Sequence, residues 1–140
     1  MTKRKVSVSM AVLAVAALVL TAVVPGAFAQ VREFKFQIPF DFYAGGNLMP
    51  AGNYIVAYNP ATRATQVFDN GGHIATVLPL SMQGRAIGNN RIVFNRYGGL
   101  AFLSEMQWAG TENGLKVRDS QLERDARLGT DPIRVAVQPK

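Results

Sequence analysis

Apolar and polar side chains alternate without a break from Glu33 to Phe40. Phe34, Phe36, Ile38 and Phe40 point one way, and Glu33, Lys35 and Gln37 the other. A period of two residues is that of a strand with one buried face. Pro39 falls on the polar side and has no N–H for a ladder, so the strand is expected at a sheet edge or to end in a bulge there. Tyr43 to Gly52 reads as a loop punctuated by Gly45-Gly46 and Pro50-Ala51-Gly52. Alternation returns from Asn53 to Tyr58, with Tyr54, Val56 and Tyr58 on one face, and Asn59-Pro60 ends it.

Thr62 to Phe68 and His73 to Leu78 are β-prone runs joined by Asp69-Asn70-Gly71-Gly72, a hairpin signal. Arg91 to Asn95 and Leu100 to Met106 form a second hairpin around Tyr97-Gly98-Gly99. Ser81 to Asn90, polar and glycine-bearing, reads as a connection holding at most a short strand at Arg85 to Ile87. One helix is marked, over about 120–128. Ser120-Gln121-Leu122-Glu123 fits a capping box, Glu123 and Arg127 are spaced to pair, and Gly129 then Asp131-Pro132 supply the exit. A helix of about two turns persists only when docked, and Leu122 and Ala126 are the expected docking residues. In the tail, 130–140, Ile133 to Val137 alternates again and reads as a last strand or a frayed end.

These elements predict a mainly β domain. It is a single antiparallel meander of six to eight strands, forming a small barrel or sandwich with one short C-terminal helix. The pattern shows no internal repeat.

The first 29 residues change the picture of the chain's destination. Lys3, Arg4 and Lys5 precede an apolar run from Val6 to Val24, Pro25-Gly26 breaks it, and Ala27-Phe28-Ala29 places small residues where a signal peptidase reads them. Residues 1–29 are therefore expected to be a signal peptide cleaved after Ala29. The alternative is an uncleaved anchor, since the run is close to the roughly 20 residues that span a bilayer. Residues 30–140 are expected to be one domain, not membrane-spanning, periplasmic or extracellular. The formal net charge is +6, and the three basic residues of the leader account for half of it. The remaining cations are scattered, which argues against nucleic acid as a partner. The chain has no cysteine. That excludes thiol nucleophiles, iron–sulfur clusters and cysteine-based zinc sites, and leaves an exported domain to hold together by burial, without disulfides.

The stretches "IPFDFYAGGNLMPAGNY", "RIVFNRYGGLAFLSEMQW" and "DSQLERDARL" together resemble a group of small, exported, uncharacterised bacterial β proteins. The shared pattern is I-P-F-x-F, P-A-G-x-Y, an R-Y-G hairpin ending near a Trp, and S-x-x-E-R. It runs from Phe34 to about Leu128 and consists of turns and core aromatics, so the resemblance implies a shared fold and no activity.

Chemistry-bearing patterns are few. His73 is the sole histidine, and none of Ser81, Ser104 and Ser120 lies in a G-x-S-x-G elbow, so a serine triad and a histidine zinc site are not expected. The paired glycines lack the lysine and helix of a phosphate loop. Asp69 and Asn70 lack the ligand series of a calcium loop. No cofactor or metal is expected. Asp41, Glu105 and Glu112 lie near expected strand ends or loops, where two acids across a cleft would suit a small hydrolase. The aromatic set Phe34, Phe36, Phe40, Tyr54, Tyr58, Phe68, Phe94 and Phe102 is expected to interlock as a core. The same residues would otherwise line an apolar cavity. Tyr43, Tyr97 and Trp108 fall at loops or strand ends, where an exposed ring stacks on a sugar or peptide and a covered one closes the core. The expectation is an exported, non-enzymatic binding or envelope-associated domain. Its partner would be an apolar small molecule, a glycan or an envelope protein. The alternative is a carboxylate-based hydrolase.

Overall fold

The computed structural model describes residues 31–83, 88–110 and 113–140. The leader, Glu112 and the short strand considered at Arg85 to Ile87 lie outside the described residues. Eleven strands and one helix are described: β1 (Arg32–Ile38), β2 (Phe42–Ala44), β3 (Asn47–Met49), β4 (Gly52–Tyr58), β5 (Thr65–Phe68), β6 (Ile74–Val77), β7 (Leu80–Gln83), β8 (Arg91–Tyr97), β9 (Leu100–Gln107), β10 (Asn113–Lys116), α1 (Gln121–Arg127) and β11 (Ile133–Val137). The mainly β reading with one short C-terminal helix holds.

The strands form two sheets. The first has the order β1-β4-β5-β6 and is antiparallel throughout. The second is curled and has the order β11-β8-β9-β10-β7, with β2 joined to β9 and β3 to β2. β2 meets β9 in parallel at Tyr43 and Phe102, which departs from a pure antiparallel meander. Among the described residues β1 pairs with β4 alone, and Pro39 follows its last residue, so the proline stands just past an edge strand as its missing N–H requires.

The strand count exceeds the expected six to eight because four short strands, β2, β3, β7 and β10, lie in segments where the pattern predicts no strand. The expected loop from Tyr43 to Gly52 holds β2 and β3, which turn tightly on Gly45 (φ +58°) and Gly46 (φ +87°). β7, inside the expected connection, pairs with β10. Ile133–Val137 is a strand along β8, so the tail is not frayed there. The two expected hairpins form as β5–β6 and β8–β9, the second with a bulge between Val93 and Phe94.

One core lies between the sheets. Phe36, Ile38, Phe42, Met49, Tyr54, Val56 and Val67 meet Ile92, Phe94, Met106 and Trp108 there, all at 2% exposure or less. The rings interlock edge to face: Phe42 stands 5.1 Å from Tyr54 and 5.2 Å from Phe94. Phe68 is a correction to the expected core set: Thr65 and Val67 occupy the inward positions of β5, so strand parity turns Phe68 outward, where it is half-buried. Phe102 is buried at 2% exposure, on the face of β9 opposite Ala101 and Leu103, and packs against Tyr43 and Tyr97.

Candidate functional site

Of the three aromatic candidates, two come together and one does not. Tyr43 stacks on Phe102 with ring centroids 5.3 Å apart, and Tyr97 meets the same ring edge-on at 5.9 Å. Both lie on the outward face of the second sheet, beside α1. Trp108 is inside the core at 2% exposure, lying flat against Phe34 at 4.4 Å and 7°. Tyr97 is 5% exposed. The faces of Trp108 and Tyr97 are covered by their neighbours, and stacking on a sugar would require them to leave the fold. Tyr43 is half-buried. The crevice beside it, reaching Ser120 and Glu123, holds about 10 Å³, room for no more than a water.

The outward face of β8 and β9 carries a polar cluster that the sequence pattern did not reveal. Asn95 Nδ2 donates to Ser104 Oγ at 3.1 Å and to Glu123 Oε1 at 3.0 Å. Tyr97 Oη donates to the same carboxylate at 3.4 Å, and Arg127 donates to Tyr97 Oη and to Asp119. Glu123 is 2% exposed. Burial, opposed by the Asn95 hydrogen bond, pushes its carboxyl above the ordinary range, with Asp119 adding to the rise. Two expectations are corrected here. Leu122 is 42% exposed, so α1 docks through Glu123 and not through its leucine. The capping box is also half-formed: Ser120 Oγ accepts from Glu123 N at 3.2 Å, while the Glu123 side chain turns to the sheet. Alongside, Glu105 is clamped by Arg134 at 2.7 Å and accepts from Gln107, whose amide oxygen accepts from Arg91. The signal available in the sequence was parity, since Asn95, Glu105 and Gln107 sit at positions where a solvated face or a covered polar layer are both allowed.

His73 sits at the β5–β6 turn, with Nδ1 3.0 Å from Asp69 Oδ2. Asp69 Oδ1 accepts from the backbone N–H groups of Gly71 and His73. Burial acts to raise this carboxyl, but the hydrogen bonds from His73 outweigh it and hold it below the usual value. Asp41 accepts from Ala51 N at 2.8 Å and so braces the base of the β2–β3 hairpin. These acids serve turns. Among the described residues, no group of three or more metal-ligating side chains comes together.

A groove of about 350 Å³ opens on the outward side of the first sheet. Lys35, Asn53, Ile55, Phe68, Asp69, Asn70 and Lys140 line it, together with Phe36 and Tyr54 from beneath. Ile55 and Phe68 are directly opposite on β4 and β5, and Lys35 is opposite Ile55 on β1. Lys140 crosses the edge of β1, where its N–H donates to Lys35 O at 3.0 Å and its Nζ to Asn53 Oδ1 at 2.7 Å. The groove has no local signal in the sequence, since the hydrophobicity of Phe68 points inward while its strand parity points outward, and Lys140 lies more than a hundred positions from Lys35. No protein-family model matches the chain, and neither a characterised protein nor a solved structure does.

Proposed function

We propose that the chain is an exported, non-catalytic binding domain that acts through the groove on its first sheet. The carrying observation is a contrast. The space between the sheets is filled by interlocked aromatic and aliphatic side chains, while the groove is open and joins an apolar floor to amines and amides. Binding sites commonly have this composition, with apolar walls and a few polar groups that fix orientation. The carboxylate-hydrolase alternative needs two acids facing across a cavity. Asp69 is the one acidic side chain among the groove's described lining residues, and its oxygens are occupied by the turn. Export rests on the leader pattern, so Ala29→Phe should leave an unprocessed, membrane-retained chain. The likeness to the exported β group accords with this reading.

The test is mass spectrometry of small molecules that co-purify with the processed protein. A bound compound is expected in the wild type. It should be lost in Phe68→Asp, whose circular dichroism should show the fold retained and whose loss of stability should be well below that of a core substitution. A compound retained by Phe68→Asp would place the activity elsewhere.

A further inference from the structure

We infer that the groove takes a single-chain amphiphile with an anionic head, a free medium-chain carboxylate, an inference that rests on the groove being the binding site. The register of the first sheet sets Lys35 opposite Ile55, Ile55 opposite Phe68, and Phe68 opposite Ile74. Residues directly opposite on neighbouring strands touch side by side. The four therefore make one row across the sheet, with a cation at one end followed by three apolar side chains. Three inter-strand steps make the row roughly 14 Å long, the span of a medium acyl chain. Ile74, the far end, is 56% exposed, so the apolar floor continues beyond the groove without a covering element.

Charge is arranged along the same axis. Lys35 and Lys140 line the groove at the β1 side. Lys140 spends one donor on Asn53 and keeps two, since an ammonium carries three N–H groups. Asp69 lines the groove too, and its oxygens already accept from Gly71 N, His73 N and the His73 ring. A glycan would ask for hydrogen-bonding groups along the length of its site, and the row beyond Lys35 is isoleucine, phenylalanine and isoleucine. An anionic membrane surface is gripped by clusters of about four to eight basic residues. Two amines beside one apolar row match one head group and one tail.

The experiment follows the Ile δ1-methyl signals of the processed protein during titration with monomeric dodecanoate, dodecyl maltoside, dodecyltrimethylammonium and phosphatidylglycerol vesicles. Saturable shifts at Ile55 and Ile74 with dodecanoate are expected, with Ile38 and Ile92 in the core serving as unmoved controls. Lys35→Glu should weaken dodecanoate binding by about tenfold or more while leaving the control methyls in place. If all three detergent-like probes shift Ile55 equally and Lys35→Glu changes nothing, the anionic head is wrong and the groove still binds. Absence of any shift at Ile55 overturns the groove as the site. Shifts seen with vesicles alone overturn the free-ligand assignment in favour of a membrane surface.

Discussion

The Glu123 carboxylate of α1 accepts a 3.0 Å hydrogen bond from Asn95 Nδ2 of β8, across twenty-eight positions of sequence. The helix is held to the second sheet by this buried acid, with Leu122 and Leu128 left in solvent at 42% and 88% exposure. Its ion-pair partner Arg127 stands off at 3.8 Å, so hydrogen bonding provides most of the grip. Glu123→Ala leaves Asn95 and Tyr97 without their shared acceptor and should cost about 1–3 kcal/mol. Urea melts supply the measurement, and amide exchange in α1 should accelerate more than in β4.

The same residue sets a pH dependence. Burial raises the Glu123 carboxyl above its ordinary 4.5, so between those two values the folded protein binds more protons than the unfolded chain. Stability contributed by this group is therefore full below the unfolded value and declines as pH rises through the folded one. Glu123→Gln removes that slope. The stability of wild type relative to Glu123→Gln should fall in urea melts as pH rises from the unfolded value through the folded one, and level off above it. A difference that grows with pH would contradict the assignment.

Gly45 and Gly46 offer a matched pair. Both have positive φ, at +58° and +87°. A Cβ on Gly45 would also come within 3.0 Å of Val77 Cγ1 and 3.3 Å of Thr76 O, whereas one on Gly46 meets nothing within 4 Å. Gly46→Ala should cost about 1–2 kcal/mol of conformational strain. Gly45→Ala should cost about 1–3 kcal/mol more, from crowding against the edge of β6. Equal losses in thermal or urea melts would mean that the turn does not press on β6.

Tyr54 is 2% exposed and donates to Pro50 O. Burial, with the charges of Asp69 and Asp41, pushes its phenol up to about 12 from 10.0. Within that window the folded state keeps a proton the unfolded chain has lost, so this group's contribution to stability declines as pH rises through it. Ultraviolet titration of tyrosinate should show a late phase near that value, and Tyr54→Phe should remove it. A wild-type titration without a late phase would mean that Tyr54 reaches solvent.

What was legible in the sequence was local. The Phe34 to Ile38 alternation, the Asp69 to Gly72 turn and the Ser120 cap each act over a few residues, and each appears where expected. β7 and β10 are four residues long and gain their partners from each other and from β9, far along the chain, and β2 and β3 form a hairpin of only three residues a side. Periodicity has nothing to act on in runs so short. Glu123 was misjudged because a local cap already explained it, and its true partner lies on another element. Phe68 shows a different failure. Thr65 and Val67 share the opposite face of β5, so parity assigns Phe68 outward, while the hydrophobicity of its ring favours the core. The groove followed Phe68 out of sight.

Phe36 and Phe68 therefore separate core from groove in one experiment. Phe36 is fully buried, with Trp108 6.4 Å away in a tilted contact and Tyr54 opposite it on β4. Phe36→Ala should cost about 3–5 kcal/mol, the loss of a buried ring together with the cavity it leaves. That is a large part of the roughly 5–15 kcal/mol that holds an ordinary domain together, and this chain has no disulfide to offset it. Phe68 is half-buried on the outward face, with open groove on one side of its ring. A ring with fewer neighbours loses fewer contacts, so Phe68→Ala should cost about 1 kcal/mol. Urea melts of both variants read the two losses, and the slope with denaturant should stay near wild type in each. A large loss at Phe68 would mean that the ring is a structural part of the sheet and that the groove is not free to exchange a ligand. A small loss at Phe36 would mean that the space between the sheets is loosely filled, and binding would then have to be sought inside the fold.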